Sequence, residues 1–238
     1  MTKKKIVLIV LWSVLGAALM VGAVVYFAII LPQQKEAEAL RQAVAAYYDE
    51  KVALYEQENQ KYAGFEVDVA FIGDSLTDGY DLAKYYPQYV TANRGIGGDT
   101  TFDLEGRLQV SVYDLKPKVV VMLIGANNME TMFENYEAIL QGLRENLPET
   151  KVVLLSLTAM GGDHWGRWNQ LAAYNNVSIK LLAEKYGFAF VDLFTPLYDV
   201  SIGEVYEGYT VDGGHFTDLG YTVVTAQITP VLEQLLGK

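Results

Sequence analysis

The chain has 238 residues, 51% of them hydrophobic, with 29 acidic against 18 basic side chains, a net charge of −11, two histidines and no cysteine. That length and apolar content suffice for one domain with a substantial core. The acidic balance argues against a nucleic-acid partner, because a phosphate backbone selects basic faces, and the absence of cysteine excludes disulfides and thiolate metal sites.

Residues 1–5 carry Lys3, Lys4 and Lys5, and Ile6 to Leu31 is an uncharged run of 26 residues. A helix needs about 20 residues to cross a bilayer core, so 6–31 is expected to be a transmembrane anchor. The lysines place residues 1–5 in the cytoplasm and the rest of a single-pass protein outside, at the cell membrane of a bacterium. A cleaved signal peptide is the competing reading, but its apolar region is shorter and ends at a small-residue site. Here Tyr26, Phe27, Ile29 and Ile30 continue the run. Pro32 is expected to close the span. Gln33 to Tyr62 lacks Pro and Gly, with Leu40, Val44, Tyr47, Val52 and Tyr55 near helical spacing. Residues 32–64 therefore read as a helical stalk whose stripe packs on the domain that follows, ended by Gly64. A coiled coil forming a homodimer is the alternative use of that stripe.

From residue 65 to 238 short apolar runs alternate with amphipathic ones. Strands are expected at Val67–Ile72, Thr91–Ile96, Val119–Ile124, Val152–Leu157 and Phe188–Leu193. Helices are expected near Leu82–Tyr86, Phe102–Tyr113, Met132–Asn146, Trp168–Tyr186 and Thr217–Leu236, the last kinked at Pro230. Such alternation predicts an α/β domain with a parallel sheet covered on both faces. Ligands of open parallel sheets gather beyond the carboxyl ends of the strands.

Three clusters fall at or return to that edge. Gly73-Asp74-Ser75-Leu76 leaves the first strand through a glycine turn and opens a helix, whose free N–H groups favour negative charge. Read alone, Ser75 is equally an N-cap. As a nucleophile it needs a base, and only His164 and His215 are available. His215 follows Asp212 by three residues, a spacing that lets a carboxylate orient one ring nitrogen and aim the other at a serine. Ser75, Asp212 and His215 are therefore the candidate catalytic residues. The backbone N–H groups of Ser75 and Gly98 and the side-chain amide of Asn127 are the candidate oxyanion hole. Asp74, Asn128, His164 and Trp165 are candidate substrate contacts. The loop from Met160 to Trp168, with Trp165 and Trp168, offers a sugar-stacking surface or an acyl-chain lip. A dinucleotide site is disfavoured, because the turn after strand one is not Gly-x-Gly-x-x-Gly.

Together these clusters resemble the SGNH (GDSL) hydrolase superfamily of serine esterases and lipases. Gly73-Asp74-Ser75-Leu76 matches its nucleophile block, Gly98 its oxyanion glycine, Asn127 its oxyanion asparagine, and Asp212 with His215 its Asp-x-x-His block. Asn93 to Thr101, followed by Arg107-Leu108, and Lys116-Pro117-Lys118 leading to Asn127-Asn128 are similar to the branch of intracellular platelet-activating-factor acetylhydrolase catalytic subunits. The common block Gly-x-Asn-Asp departs here to Asn128, as it does in that branch. The resemblance covers about Val67 to Leu236. It implies a flavodoxin-like three-layer α/β/α sandwich with a five-stranded parallel sheet, and ester hydrolysis through an acyl-enzyme with no metal and no cofactor. The expected substrate is a small acyl ester, acetyl or similarly short, carried on glycans. The alternatives are a lipase, phospholipase or thioesterase acting on lipid, and a non-catalytic binding or scaffold protein.

Overall fold

The computed structural model describes residues 2–237. Two compact units are present, residues 1–50 and 51–238. The first is helical: α1 (Lys3–Val25), a π-helical turn over Tyr26–Ile30, then α2 (Leu31–Asn59), which continues into the second unit. The helix runs on through Pro32, the residue at which the membrane span is expected to end. Pro32 has no N–H to give to this continuous helix. The preceding π turn, in which the Leu31 N–H donates to the Tyr26 carbonyl, absorbs the change of register. Among the described residues one helix is long and apolar enough to cross a membrane, and its apolar side chains are exposed. α2 ends at Asn59, before Gly64.

The second unit then follows in order: β1 (Val69–Gly73), α3 (Ser75–Asp78), α4 (Leu82–Tyr85), β2 (Thr91–Gly95), α5 (Thr101–Gly106), β3 (Val119–Leu123), α6 (Phe133–Asn146), β4 (Lys151–Leu155), α7 (Gly162–Trp165), α8 (Asn169–Tyr186), β5 (Ala189–Val191), α9 (Phe194–Leu197), β6 (Tyr198–Asp199), β7 (Glu204–Val205) and α10 (Asp218–Leu236). β1 to β5 form one sheet in the order β2-β1-β3-β4-β5, all parallel. This is the flavodoxin-like order expected. β6 and β7 form a small antiparallel hairpin.

Side chains alternate across the sheet, and each face has its own apolar core. Ala70, Ile72, Val120, Met122, Val152 and Leu154 point one way, packed with residues of α5, α6 and α8. Phe71, Val121, Leu123, Val153 and Leu155 point the other, packed with Tyr80, Tyr86 and the Val224–Ile228–Leu232 stripe of α10. This is why the strands read as continuous apolar runs rather than alternating ones. The expected helix over Phe102–Tyr113 divides instead into α5 and a π turn, Gln109–Tyr113. The break falls where Arg107, 3% exposed, turns its guanidinium into the interior. α10 runs on past Pro230 to Leu236.

Candidate active site

β1 delivers the first residues of the site. A Cβ on Gly73 would lie 2.0 Å from the Leu123 carbonyl oxygen of the neighbouring strand, so only glycine fits where the chain turns into α3. Asp74 caps α3, its Oδ1 accepting the Leu76 N–H at 3.1 Å. The expected substrate contact by Asp74 is not available, because its side chain is turned inward and the residue is only 1% exposed. Its Oδ2 has no hydrogen-bond partner among the described residues. Burial pushes its carboxyl up to about 7, aided by the nearby Asp99 charge and opposed by the Leu76 N–H and His215.

Ser75, the first residue of α3, is half-buried. Its Oγ lies 3.0 Å from Nε2 of His215, whose Nδ1 faces Asp212 Oδ2 at 2.8 Å. A neutral ring protonated at Nδ1 accepts the serine proton at Nε2. Asp212 Oδ1 takes the backbone N–H groups of Gly214 at 3.0 Å and His215 at 2.8 Å. Burial works to raise the Asp212 carboxyl, but the His215 N–H, its ring and the Gly214 N–H outweigh that and hold it at about 2.

Two packed contacts carry this distant loop back to the sheet edge. Gly161 N–H donates to the Gly213 carbonyl at 2.8 Å. Gly213 has φ +90°, and a Cβ there would sit 1.9 Å from the Gly161 oxygen. The second contact is made by Tyr221 of α10, whose hydroxyl donates to the Leu76 carbonyl at 3.0 Å, tying the helix after His215 to the helix that carries Ser75.

The loop after β2 meets the loop after β3. Asn127 donates its side-chain amide to the Asp99 carbonyl at 2.9 Å, next to Gly98. An amide has two hydrogens, so this contact leaves one for a developing oxyanion. Gly98 and Asn127 are both exposed, as groups that receive a ligand must be. Asn128 is used differently from the substrate contact expected of it. Its Oδ1 accepts the Thr101 N–H at 3.2 Å and its Nδ2 donates to Thr101 Oγ1 at 2.9 Å, so it clips the two loops together.

His164 and Trp165 line an open cleft of ≈ 480 Å³ together with Asn127, Thr131 and Trp168. The Trp165 indole stands perpendicular to the His215 imidazole, with ring centres 6.2 Å apart. Trp165 thus stands between the cleft, which it lines with Asn127, and the His215 imidazole. Sequence reasoning missed the support behind these groups. Arg107 donates through Nε to Asp99 Oδ2 at 2.6 Å, through Nη1 to the Arg94 carbonyl at 2.9 Å and Ser111 Oγ at 2.8 Å, and through Nη2 to the Gly73 carbonyl at 2.9 Å. Arg107 stands among Asp103, Glu105, Gln109 and Ser111 in an amphipathic stretch, so the sequence carried no signal that its guanidinium turns inward.

Comparison with known proteins bears on the family and the fold. The profile of the GDSL-like lipase/acylhydrolase family matches residues 71–223. The chain is 29% identical over 189 residues to platelet-activating factor acetylhydrolase IB subunit alpha2 of Homo sapiens, covering 72% of this chain and 78% of that one. A solved protein of Streptococcus pneumonia, described provisionally as a platelet activating factor, superposes with a TM-score of 0.75 at 25% identity, covering 84% of this chain and 99% of that one. A GDSL-like lipase of Bacteroides thetaiotaomicron gives a TM-score of 0.68 at 25% identity over 77% and 97%. An acetylxylan esterase of Geobacillus stearothermophilus shares the fold, with a TM-score of 0.58 at 21% identity over 71% and 95%.

Proposed function

The chain belongs to the GDSL-like lipase/acylhydrolase family, and from that premise we propose that it hydrolyses short acyl esters with Ser75 as nucleophile, His215 as acid–base and Asp212 as orienting carboxylate. The observation that carries this reading is the unbroken relay from Ser75 Oγ to His215 Nε2 at 3.0 Å and from His215 Nδ1 to Asp212 Oδ2 at 2.8 Å. Ser75 Oγ attacks the ester carbonyl while its proton passes to His215 Nε2. The ionised Asp212 stabilises the imidazolium that forms. The tetrahedral oxyanion is held by the N–H groups of Ser75 and Gly98 and the Asn127 amide, donors whose loss singly costs about 2.7–4 kcal/mol in other acyl-transfer enzymes. Collapse expels the alcohol, which takes the proton from His215 and leaves an acyl-serine. Water, deprotonated by the same imidazole, then releases the acid. Side chains, two backbone N–H groups and water supply every step of the proposed mechanism.

The favoured substrate is an acetyl or similarly short ester on a glycan. The open cleft beside Asn127, edged by Trp165 and Trp168, suits a small acyl group on a bulky polar carrier. The apolar N-terminal helix favours a single-pass anchor holding the catalytic unit outside the cell. A lipid carrier is the second reading, favoured by the acetylhydrolase name of the 29% identical relatives and by a tether at a bilayer. A substrate panel tests both. Acetylated xylo-oligosaccharides should be cleaved faster than long-chain p-nitrophenyl esters, and the opposite ranking would favour lipid. Fluorophosphonate labelling should be lost in Ser75→Ala. Retention of labelling and of wild-type p-nitrophenyl acetate turnover in that variant would refute the mechanism, and a wild-type protein that is neither labelled nor active on any ester of the panel would favour the non-catalytic reading.

A further inference from the structure

The loop between β4 and α8 contains Gly161, Gly162 and Gly166, and Gly162, Asp163 and His164 are exposed. Such a segment has little side-chain packing of its own to hold it. Yet it carries Trp165, whose indole lies flat enough against Gly214 that a Cβ there would approach Trp165 Cε2 and Nε1 at 2.9 Å. Trp165 and Trp168 pack on the core, and the exposed stretch before them is held from a place outside the loop.

The carboxylate of Glu204, on the β6–β7 hairpin, occupies that place. Its Oε2 accepts the Gly162 N–H at 2.8 Å, at the opening turn of α7. Its Oε1 lies 3.0 Å from where a Gly166 Cβ would stand, and its Oε2 lies 3.1 Å from the corresponding Gly161 position. One side chain thus touches both ends of α7. The hairpin beneath is itself anchored: Val205 N–H donates to the Met160 carbonyl at 3.0 Å. Asn169 Nδ2 donates to the Met160 carbonyl at 2.7 Å and the Gly203 carbonyl at 3.1 Å. The chain of contacts runs from the hairpin through Glu204 to α7, from α7 to Trp165, and from Trp165 to Gly214 and His215.

We propose that Glu204 is a positioning residue for hydrolysis: wedged between the two ends of α7, it sets the Trp165 indole against the His215 imidazole and so governs which alcohol groups the cleft accepts. This rests on the proposed roles of Ser75 and His215. A small, flat substrate attacked at Ser75 depends little on the indole wall, whereas a bulky carrier lies along it. Loss of the carboxylate therefore acts selectively.

The test compares p-nitrophenyl acetate with peracetylated xylobiose on the wild type, Glu204→Ala, Glu204→Gln, Trp165→Ala and the Glu204→Ala/Trp165→Ala pair, with Ser75→Ala alongside. Glu204→Ala should lose roughly tenfold in kcat/KM on the acetylated sugar, mainly through KM, and far less on p-nitrophenyl acetate. Glu204→Gln keeps an acceptor for the Gly162 N–H and should restore most of the loss. The double variant should be no worse than Trp165→Ala, since both act through one group. If Glu204→Ala does not fold, Glu204→Asp, one methylene shorter, should give the same selective loss. An equal effect on both substrates, or losses that add in the double variant, would overturn the proposal. Activity surviving in Ser75→Ala would instead overturn the underlying mechanism.

Discussion

The guanidinium of Arg107 and the carboxylate of Asp99 meet at 2.6 Å in the interior, their side chains 1% and 4% exposed, directly behind Gly98. The pair holds the proposed oxyanion loop to the end of β1 through the Gly73 carbonyl and to the end of β2 through the Arg94 carbonyl. Burial still pushes the Asp99 carboxyl up to about 6, although Arg107 pulls it down. Arg107→Ala would strand a buried carboxylate and two carbonyls, and is expected to destabilise by about 3–5 kcal/mol. Arg107→Lys cannot reproduce the fork of contacts. It should fold but lose kcat with little change in KM, because the misplaced donors act on the transition state. Thermal melts and steady-state kinetics check the two expectations separately.

In the proposed relay Asp212 sets the direction. Held at about 2, it stays ionised throughout the pH range in which the enzyme would work. Asp212→Asn removes the charge and favours the wrong imidazole tautomer, so kcat should fall by roughly 10²–10⁴-fold with the fold intact. The lower end of that range is expected here, because the Asp212 side chain is 48% exposed and water can stand in for part of its charge. A pH profile of kcat/KM for p-nitrophenyl acetate that is the same in both proteins would remove Asp212 from the proposed relay.

The two-sided burial of β1, β3 and β4 made these strands readable, since runs such as Val119-Val120-Val121 leave few other structures open. The pairing of Ser75 with His215 was readable for a different reason: with two histidines in the chain, few partners for a serine were on offer. The unreadable parts depend on long-range packing. Nothing in the spacing of Glu204 shows that it fits between Gly161 and Gly166. Asp74 and Asn128 stand beside catalytic candidates in sequence, and adjacency suggested substrate contact. In the fold Asp74 faces inward and the Asn128 amide is occupied by Thr101. The helix continues through Pro32 because a π turn before it accommodates what a regular helix would not, and no spacing in the sequence announces that turn.

Asp74 should leave a mark on stability. The native protein keeps its proton up to about pH 7, while an unfolded aspartate releases it near 3.8. Between those values the folded chain binds more protons, so its stability is fully present below about pH 4 and declines as the pH rises towards about 7. Asp99 contributes in the same sense, up to about pH 6. Asp212 has the opposite sign, and its contribution is lost only in strong acid, as the pH falls from 3.8 towards about 2. Asp74→Asn retains an acceptor for the Leu76 N–H and has no proton to lose. Its melting temperature should therefore change less than that of the wild type from about pH 4 to about pH 7, with a residual slope from Asp99. Parallel curves for the two proteins would show that Asp74 does not titrate in this range.

The last turns of α2 belong with the catalytic unit, and their removal should be costly. Arg94 of β2 is fully buried and is met from α2 on three sides: an ion pair with Glu58, a hydrogen bond to Asn59 Oδ1 at 3.1 Å, and the Tyr55 ring 4.6 Å away. Tyr55 in turn donates its hydroxyl to the Gly95 carbonyl at 2.5 Å, and Asn59 Nδ2 donates to the Val110 carbonyl at 2.7 Å. Arg94 Nε has no hydrogen-bond partner among the described residues, so the guanidinium has little reserve. A chain beginning at Lys51 keeps all of these contacts and should melt close to the full-length protein. A chain beginning at Val67 leaves a buried cation without its carboxylate and should be strongly destabilised. Glu58→Ala, in which Asn59 and Tyr55 remain and water reaches the one-third exposed site of the lost carboxylate, should cost only about 1–3 kcal/mol. Equal melting temperatures for chains starting at 51 and 67 would show that α2 contributes nothing to the fold of the catalytic unit. The expected order, 51 well above 67 with Glu58→Ala between, would make Tyr55, Glu58 and Asn59 an integral part of it.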